Sequence, residues 1–79
     1  MRTKDIIEGL TILSPYYKKP DGYNVGADHD VIYGYATDKP LSEADLLRMI
    51  ELGWCQEHGG NKDFSVKDYC QDESWHAYT

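Results

Sequence analysis

The sequence predicts a small α+β domain, with an antiparallel sheet of about three strands covered on one face by two helices, in the order α-β-α-β-β. Three observations predict it. Residues 42–54 carry the start, body and stop signals of one helix, and residues 30–37 alternate as a strand does. Seventy-nine residues suffice for one domain, residues 1–79, with a thin core.

Thr3 is placed to cap a first helix, with Asp5 in its first turn, where negative charge favours the helix dipole. Ile6, Ile7, Leu10 and Leu13 follow at helical spacing as one apolar stripe. Pro15 limits the helix, which is predicted from Thr3 to Leu13. Residues 14–29 read as a loop punctuated by Pro15, Pro20, Gly22 and Gly26, pinned to the body by Tyr16, Tyr17 and Tyr23.

From Asp30 to Thr37, Val31, Tyr33 and Tyr35 share one strand face and Ile32, Gly34 and Ala36 the other. Small Gly34 and Ala36 leave room for a helix to pack closely. In the second helix Ser42 is the cap, Asp45 the acidic half of a capping box, and Leu41 with Leu46 a hydrophobic staple. Leu46, Leu47, Met49 and Ile50 form its buried stripe, while Glu43, Arg48 and Glu51 point outward. Gly53 supplies the left-handed stop, and Trp54 folds back on Met49. A second strand is predicted at about Trp54 to Glu57, then a turn at His58–Asn61 and one helical turn within Asp63–Tyr69. A final strand spans Ser74–Tyr78, with Trp75 and Ala77 on one side and His76 on the other.

Fourteen acidic and eight basic residues give a formal charge of −6. That balance argues against direct nucleic-acid binding, which needs cations to neutralise phosphates, and against docking on anionic membranes. It suits a basic protein surface, and equally a merely well-solvated one. No apolar run is long enough to span a bilayer, and Met1-Arg2-Thr3-Lys4-Asp5 lacks the features of a signal peptide. The expectation is a cytoplasmic protein whose Cys55 and Cys70 are reduced thiols, reversed if the chain is secreted.

The spacings Cys55-x2-His58 and Cys70-x5-His76 offer the ligand types of tetrahedral zinc and outline a small zinc-binding adaptor. The competing reading is two free cysteines and two surface histidines, and no metal or other cofactor is assigned. Asp28-His29-Asp30 has the His-Asp pair of metal-dependent phosphohydrolases. Three histidines in the whole chain cannot complete such a site, however, so the triplet reads as loop chemistry. The serines lack nucleophile context and Gly59-Gly60-Asn61 precedes no GK[ST] unit, so catalysis is not expected.

The acidic residues then form the candidate binding surface. Glu43, Asp45 and Glu51 lie along the second helix, and Glu57, Asp63, Asp68, Asp72 and Glu73 flank the last strands. Tyr16, Tyr17 and Tyr23 are the expected exposed anchors, since aromatic contacts dominate interface energy. Open sheet edges leave a homodimer open as well.

Asp28-His29-Asp30-Val31-Ile32-Tyr33, Leu41-Ser42-Glu43-Ala44-Asp45-Leu46 and Glu51-Leu52-Gly53-Trp54 together resemble a group of short acidic proteins encoded by bacteriophages and prophages. The likeness covers roughly residues 4–57 and, weakly, the tail around Trp75; residues 58–73 depart from the shorter group pattern. Such a resemblance implies a mobile-element accessory protein. Its most concrete form is an anti-CRISPR protein that blocks target-DNA recognition by binding a CRISPR effector complex in the host bacterial cytoplasm. A phage regulatory or assembly subunit shares that binding mode with a different partner.

Overall fold

The computed structural model describes residues 1–56 and 64–78. The first helix, α1, spans Thr3–Leu13 as the apolar spacing predicts, but its cap differs. Arg2 occupies the cap position with no side-chain cap bond, and its Nε donates to Asp5 Oδ2 at 3.0 Å. Asp5 is buried beneath that ion pair, so Thr3 is not the cap. The stripe is also rotated from the expected one. Gly9 and Leu13 face inward, Ile6 and Leu10 pack at the margin, and Ile7 is 60% exposed.

A single 3-10 turn, Ser14–Tyr16, continues from α1, and the chain then doubles back against residues 35–39. The Tyr16 carbonyl accepts from the Asp38 N–H at 3.0 Å, Asp38 Oδ2 accepts from the Lys18 N–H, and the Tyr17 hydroxyl donates to the Tyr35 carbonyl at 2.6 Å. Two of the three tyrosines therefore do pin this segment.

The segment read as loop contains a strand. β1 (Val25–Asp28) pairs antiparallel with β2 (Val31–Gly34) through a two-residue hairpin at His29-Asp30. His29 adopts a φ of 51°, a left-handed backbone that a tight hairpin demands and that glycine usually supplies. β2 is shorter than the predicted 30–37 strand, and Ala36 lies beyond it, exposed. Gly34 does admit close packing: a methyl group built on it would stand 2.6 Å from Leu13 Cδ1.

α2 (Glu43–Leu52) follows its sequence signals closely. Ser42 Oγ accepts from the Asp45 N–H at 3.3 Å, and Leu41 and Leu46 are both buried as a staple requires. The capping box is modified. Asp45 does not reach back to the Ser42 N–H; the Tyr16 hydroxyl stands between them, accepting from that N–H at 3.1 Å and donating to Asp45 Oδ2 at 2.5 Å. At the far end Gly53 has φ 97°, and the N–H groups of Gly53 and Trp54 donate to the carbonyls of Ile50 and Met49. That pair of bonds satisfies carbonyls the helix end would leave orphaned. Leu47, expected inside, is 47% exposed; Leu52 takes a buried position instead.

β3 is Cys55–Gln56, and among the described residues that follow, a 3-10 turn at Val66–Asp68 precedes β4 (Trp75–Tyr78). Among the described residues the sheet has four strands instead of three, in the order β1-β2-β4-β3, antiparallel at each pairing. The last strand is thus inserted between β2 and β3, pairing Tyr33 with His76, and Cys55 with His76 on its other side.

The core lies between one sheet face and the two helices. Leu13, Met49, Trp54, Trp75 and Ala77 are at most 1% exposed. Trp54 Nε1 donates to the Asp5 carbonyl at 3.1 Å, tying the end of α2 to the first turn of α1. Trp75 receives Phe64 edge-on at 5.4 Å and stacks with Tyr69 at 6.0 Å, which fastens the residues before β4 to the core. Buried Gln56 holds the same region: Nε2 donates to the carbonyls of Cys70 and Glu73, and Oε1 accepts from the Cys70 N–H. Each such bond to a buried amide is worth about 1 kcal/mol net, and more is lost if a partner is left unpaired.

Candidate functional site: the uncovered face of the sheet

Strand alternation dictates a second sheet face opposite the helices. Ile32, Gly34, Trp75 and Ala77 turn toward the core, so Tyr33 and His76 turn away from it, side by side. Their rings meet edge to face, with centroids 5.0 Å apart at 88°. Tyr78 adds a second edge contact to His76 at 6.0 Å, and its hydroxyl is 3.4 Å from His76 Nδ1. No described element covers this aromatic row.

A concavity of about 600 Å³ opens on this face. Tyr33, Tyr35 and His76 supply its aromatic surface, and Asp28, Glu73 and Ser74 its polar groups. Tyr35 crosses the edge strand, where its phenol occupies the space over Gly26; a methyl group there would come within 2.2 Å of the Tyr35 hydroxyl. A side chain on residue 26 would therefore push the ring aside. Among the described residues its lining includes two carboxylates and neither lysine nor arginine. An open aromatic trough with acids in its lining can hold a cationic or amphipathic group from outside.

The residues expected at a partner surface are dispersed. Glu43, Glu51 and Asp72 are exposed; Asp45 is half-buried and held by Tyr16. Glu51 accepts from Arg48 Nη1 at 2.8 Å, while Arg48 Nε and Nη2 clasp Glu8 of α1 at 2.6 and 3.0 Å. That clasp keeps the Glu8 carboxyl below its ordinary range and raises the Arg48 guanidinium above its own. Glu73 is half-buried on the sheet face, while Glu57 and Asp63 lie outside the described residues.

Among the expected tyrosine anchors, Tyr23 is fully exposed on the approach to β1. Tyr17 is not exposed as expected: it is 7% exposed and part of the core, and its hydroxyl reaches the Tyr35 carbonyl beside Gly34. Tyr16 is half-buried and spends its hydroxyl on the α2 cap. Sequence reading missed the trough itself. Its visible signal was the alternation that sets Tyr33 and His76 on the faces away from Ile32 and Trp75; their adjacency depends on β4 joining β2.

His58 of the zinc reading lies outside the described residues. Among the described residues no three or more His, Cys, Asp or Glu side chains are grouped as metal ligands. Cys55 and Cys70 are free thiols; Cys55 is buried with its Sγ 4.0 Å from the His76 carbonyl, and burial pushes its pKa up. No described helix is long and apolar enough to cross a membrane.

The fold and this surface define a small α+β domain in which no described element covers the sheet face away from the helices. No family profile matches the chain, and neither a curated protein nor a solved structure is significantly similar to it.

Proposed function

We propose that this protein acts by stoichiometric binding to a basic protein surface. The observation that supports this reading is the disposition of its charges. Both arginines are committed to the protein's own acids, Arg2 to Asp5 and Arg48 to Glu8 and Glu51. Glu43 and Asp72 meanwhile stand exposed without an ion-pair partner among the described residues. With Asp5, Glu8 and Glu51 so engaged, eleven acidic residues of the sequence remain against six lysines, an imbalance that steers association with a cationic partner.

In the form implied by the resemblance to phage accessory proteins, the partner is a host CRISPR effector complex. Carboxylates then stand where phosphates of target DNA would lie, and the protein competes with the DNA for one basic surface. The test is target-DNA capture by the purified effector, read by a mobility shift, with this protein in stoichiometric excess. Capture should be blocked, and the block should weaken as salt rises. Unchanged capture at low salt refutes this form of the function.

A further inference from the structure

We propose that the outer edge of β1 pairs with the same edge of a second copy of this chain, joining the two sheets across a twofold axis. The register of the hairpin decides which backbone groups are available. The Tyr35 N–H donates to the Asn24 carbonyl at 2.9 Å, and Gly26 and Asp28 face Tyr33 and Val31 in the same ladder. The N–H and C=O groups of Val25 and Ala27 therefore point away from β2, where no described residue bonds them. β1 is the end strand of the sheet, and it has no lysine, proline or bulge to discourage a further strand. Side chains mark the same edge. Val25 and Ala27 lie opposite Gly34 and Ile32, on the sheet face that carries the helices, yet Val25 is 49% exposed and Ala27 is exposed too. The two helices thus stop short of β1 and leave a bare apolar ledge on that face.

One register makes this edge complementary to itself. With Val25 of one copy opposite Ala27 of the other, the opposed residues exchange both backbone bonds and the two ledges meet as one apolar cluster. Gly26 then faces Gly26 across the axis at the close spacing of about 4.5 Å. Tyr35 already fills the space over Gly26, so a foreign strand with a side chain at that point would strike the phenol. The second copy brings only glycine there, and the two Tyr35 hydroxyls approach each other from opposite sides. Charges are compatible as well: Asp28 lies opposite Asn24, with no acid facing an acid along the junction. Two strands of four residues bury less than the roughly 1,200 Å² of a durable interface, so the dimer is weak and depends on concentration. This contact is separate from the acidic binding proposed above.

The experiment is sedimentation equilibrium of the full chain from about 10 µM to about 1 mM at low and high salt, paired with ¹H–¹⁵N spectra of the same samples. The average mass should rise toward that of two copies, with concentration-dependent amide shifts centred on Val25 and Ala27. Salt should strengthen the dimer by screening two chains of charge −6, opposite to its effect on binding a basic partner. Ala27→Pro removes an outward donor, while the bonds of β1 to β2, made by Asn24, Gly26 and Asp28, remain. It should lower the association constant by roughly 10-fold or more. Val25→Glu, at a half-exposed position, sets carboxylates into the apolar junction and should weaken the dimer as well, which keeps the test valid if Ala27→Pro fails to fold. A monomer at every concentration, or a dimer indifferent to these substitutions, would overturn the proposal. So would shifts at Val25 and Ala27 that arise only when the effector complex is added, which would give the edge to a strand of that partner.

Discussion

Gly9→Ala is the substitution for which local propensity and packing predict opposite signs. On propensity alone, alanine in the middle of α1 should stabilise by about 1 kcal/mol. The structure reverses that expectation. A methyl group on residue 9 would lie 2.1 Å from Trp54 Nε1 and 2.3 Å from Cε2, well inside contact distance. The indole cannot retreat cheaply, being 1% exposed and bonded through Nε1 to the Asp5 carbonyl. Overpacking costs about 1–3 kcal/mol, and a displaced indole loses a buried hydrogen bond worth about 1–3 kcal/mol more. Against the propensity gain, a net destabilisation of about 1–5 kcal/mol is expected. Urea unfolding followed by tryptophan emission measures it. With a slope of about 1 kcal/mol/M for a small domain, the midpoint should fall by about 1 M or more. Trp54→Phe, which removes the crowded indole edge, should make the added methyl cheaper, so the two changes should couple in a double-mutant cycle. A Gly9→Ala midpoint equal to or above wild type would refute the close packing of α1 on Trp54.

Gly53→Ala should destabilise by about 1 kcal/mol, because φ 97° is strained for any residue with a Cβ, and thermal unfolding should register it. Tyr16→Phe should cost about 1 kcal/mol by unpairing the Ser42 N–H and Asp45, and should be non-additive with Ser42→Ala in urea unfolding. Tyr17 has its pKa pushed up to about 12, by burial first and by the neighbouring Asp38 carboxylate second. Since the folded value exceeds the ordinary 10.0, this contribution is intact below pH 10 and lost as pH rises through about 12. Stability measured across that window should fall less steeply in Tyr17→Phe.

Local chemistry was legible where it acts locally. The cap, staple and glycine stop of α2 lie within fourteen residues, 41–54, and each works through atoms a few residues away. The limits of α1 were readable too, but its cap was not, since the Arg2–Asp5 ion pair competes with Thr3 for the first turn. β1 escaped notice because Val25-Gly26-Ala27-Asp28 has weak strand propensity; pairing with β2 makes it a strand. His29 gave no turn signal, since glycine or asparagine is the expected residue at positive φ. Tyr16 and Tyr17 look alike in sequence, yet one hydroxyl caps a helix 26 residues away and the other closes onto a strand end. The trough was hidden for the same reason. Its described walls come from residues 27–35 and 73–76, joined only when the last strand enters the middle of the sheet.

The most direct measurement of the proposed function is a calorimetric titration of the purified effector complex with this protein at two salt concentrations. A stoichiometric acidic binder gives a saturating isotherm at one protein per binding surface, with affinity falling as salt rises. Glu43→Lys and Asp72→Lys together should weaken that binding while leaving the urea midpoint near wild type, because both residues are exposed. An absence of binding heat at low salt, or an affinity indifferent to both salt and charge reversal, would contradict it.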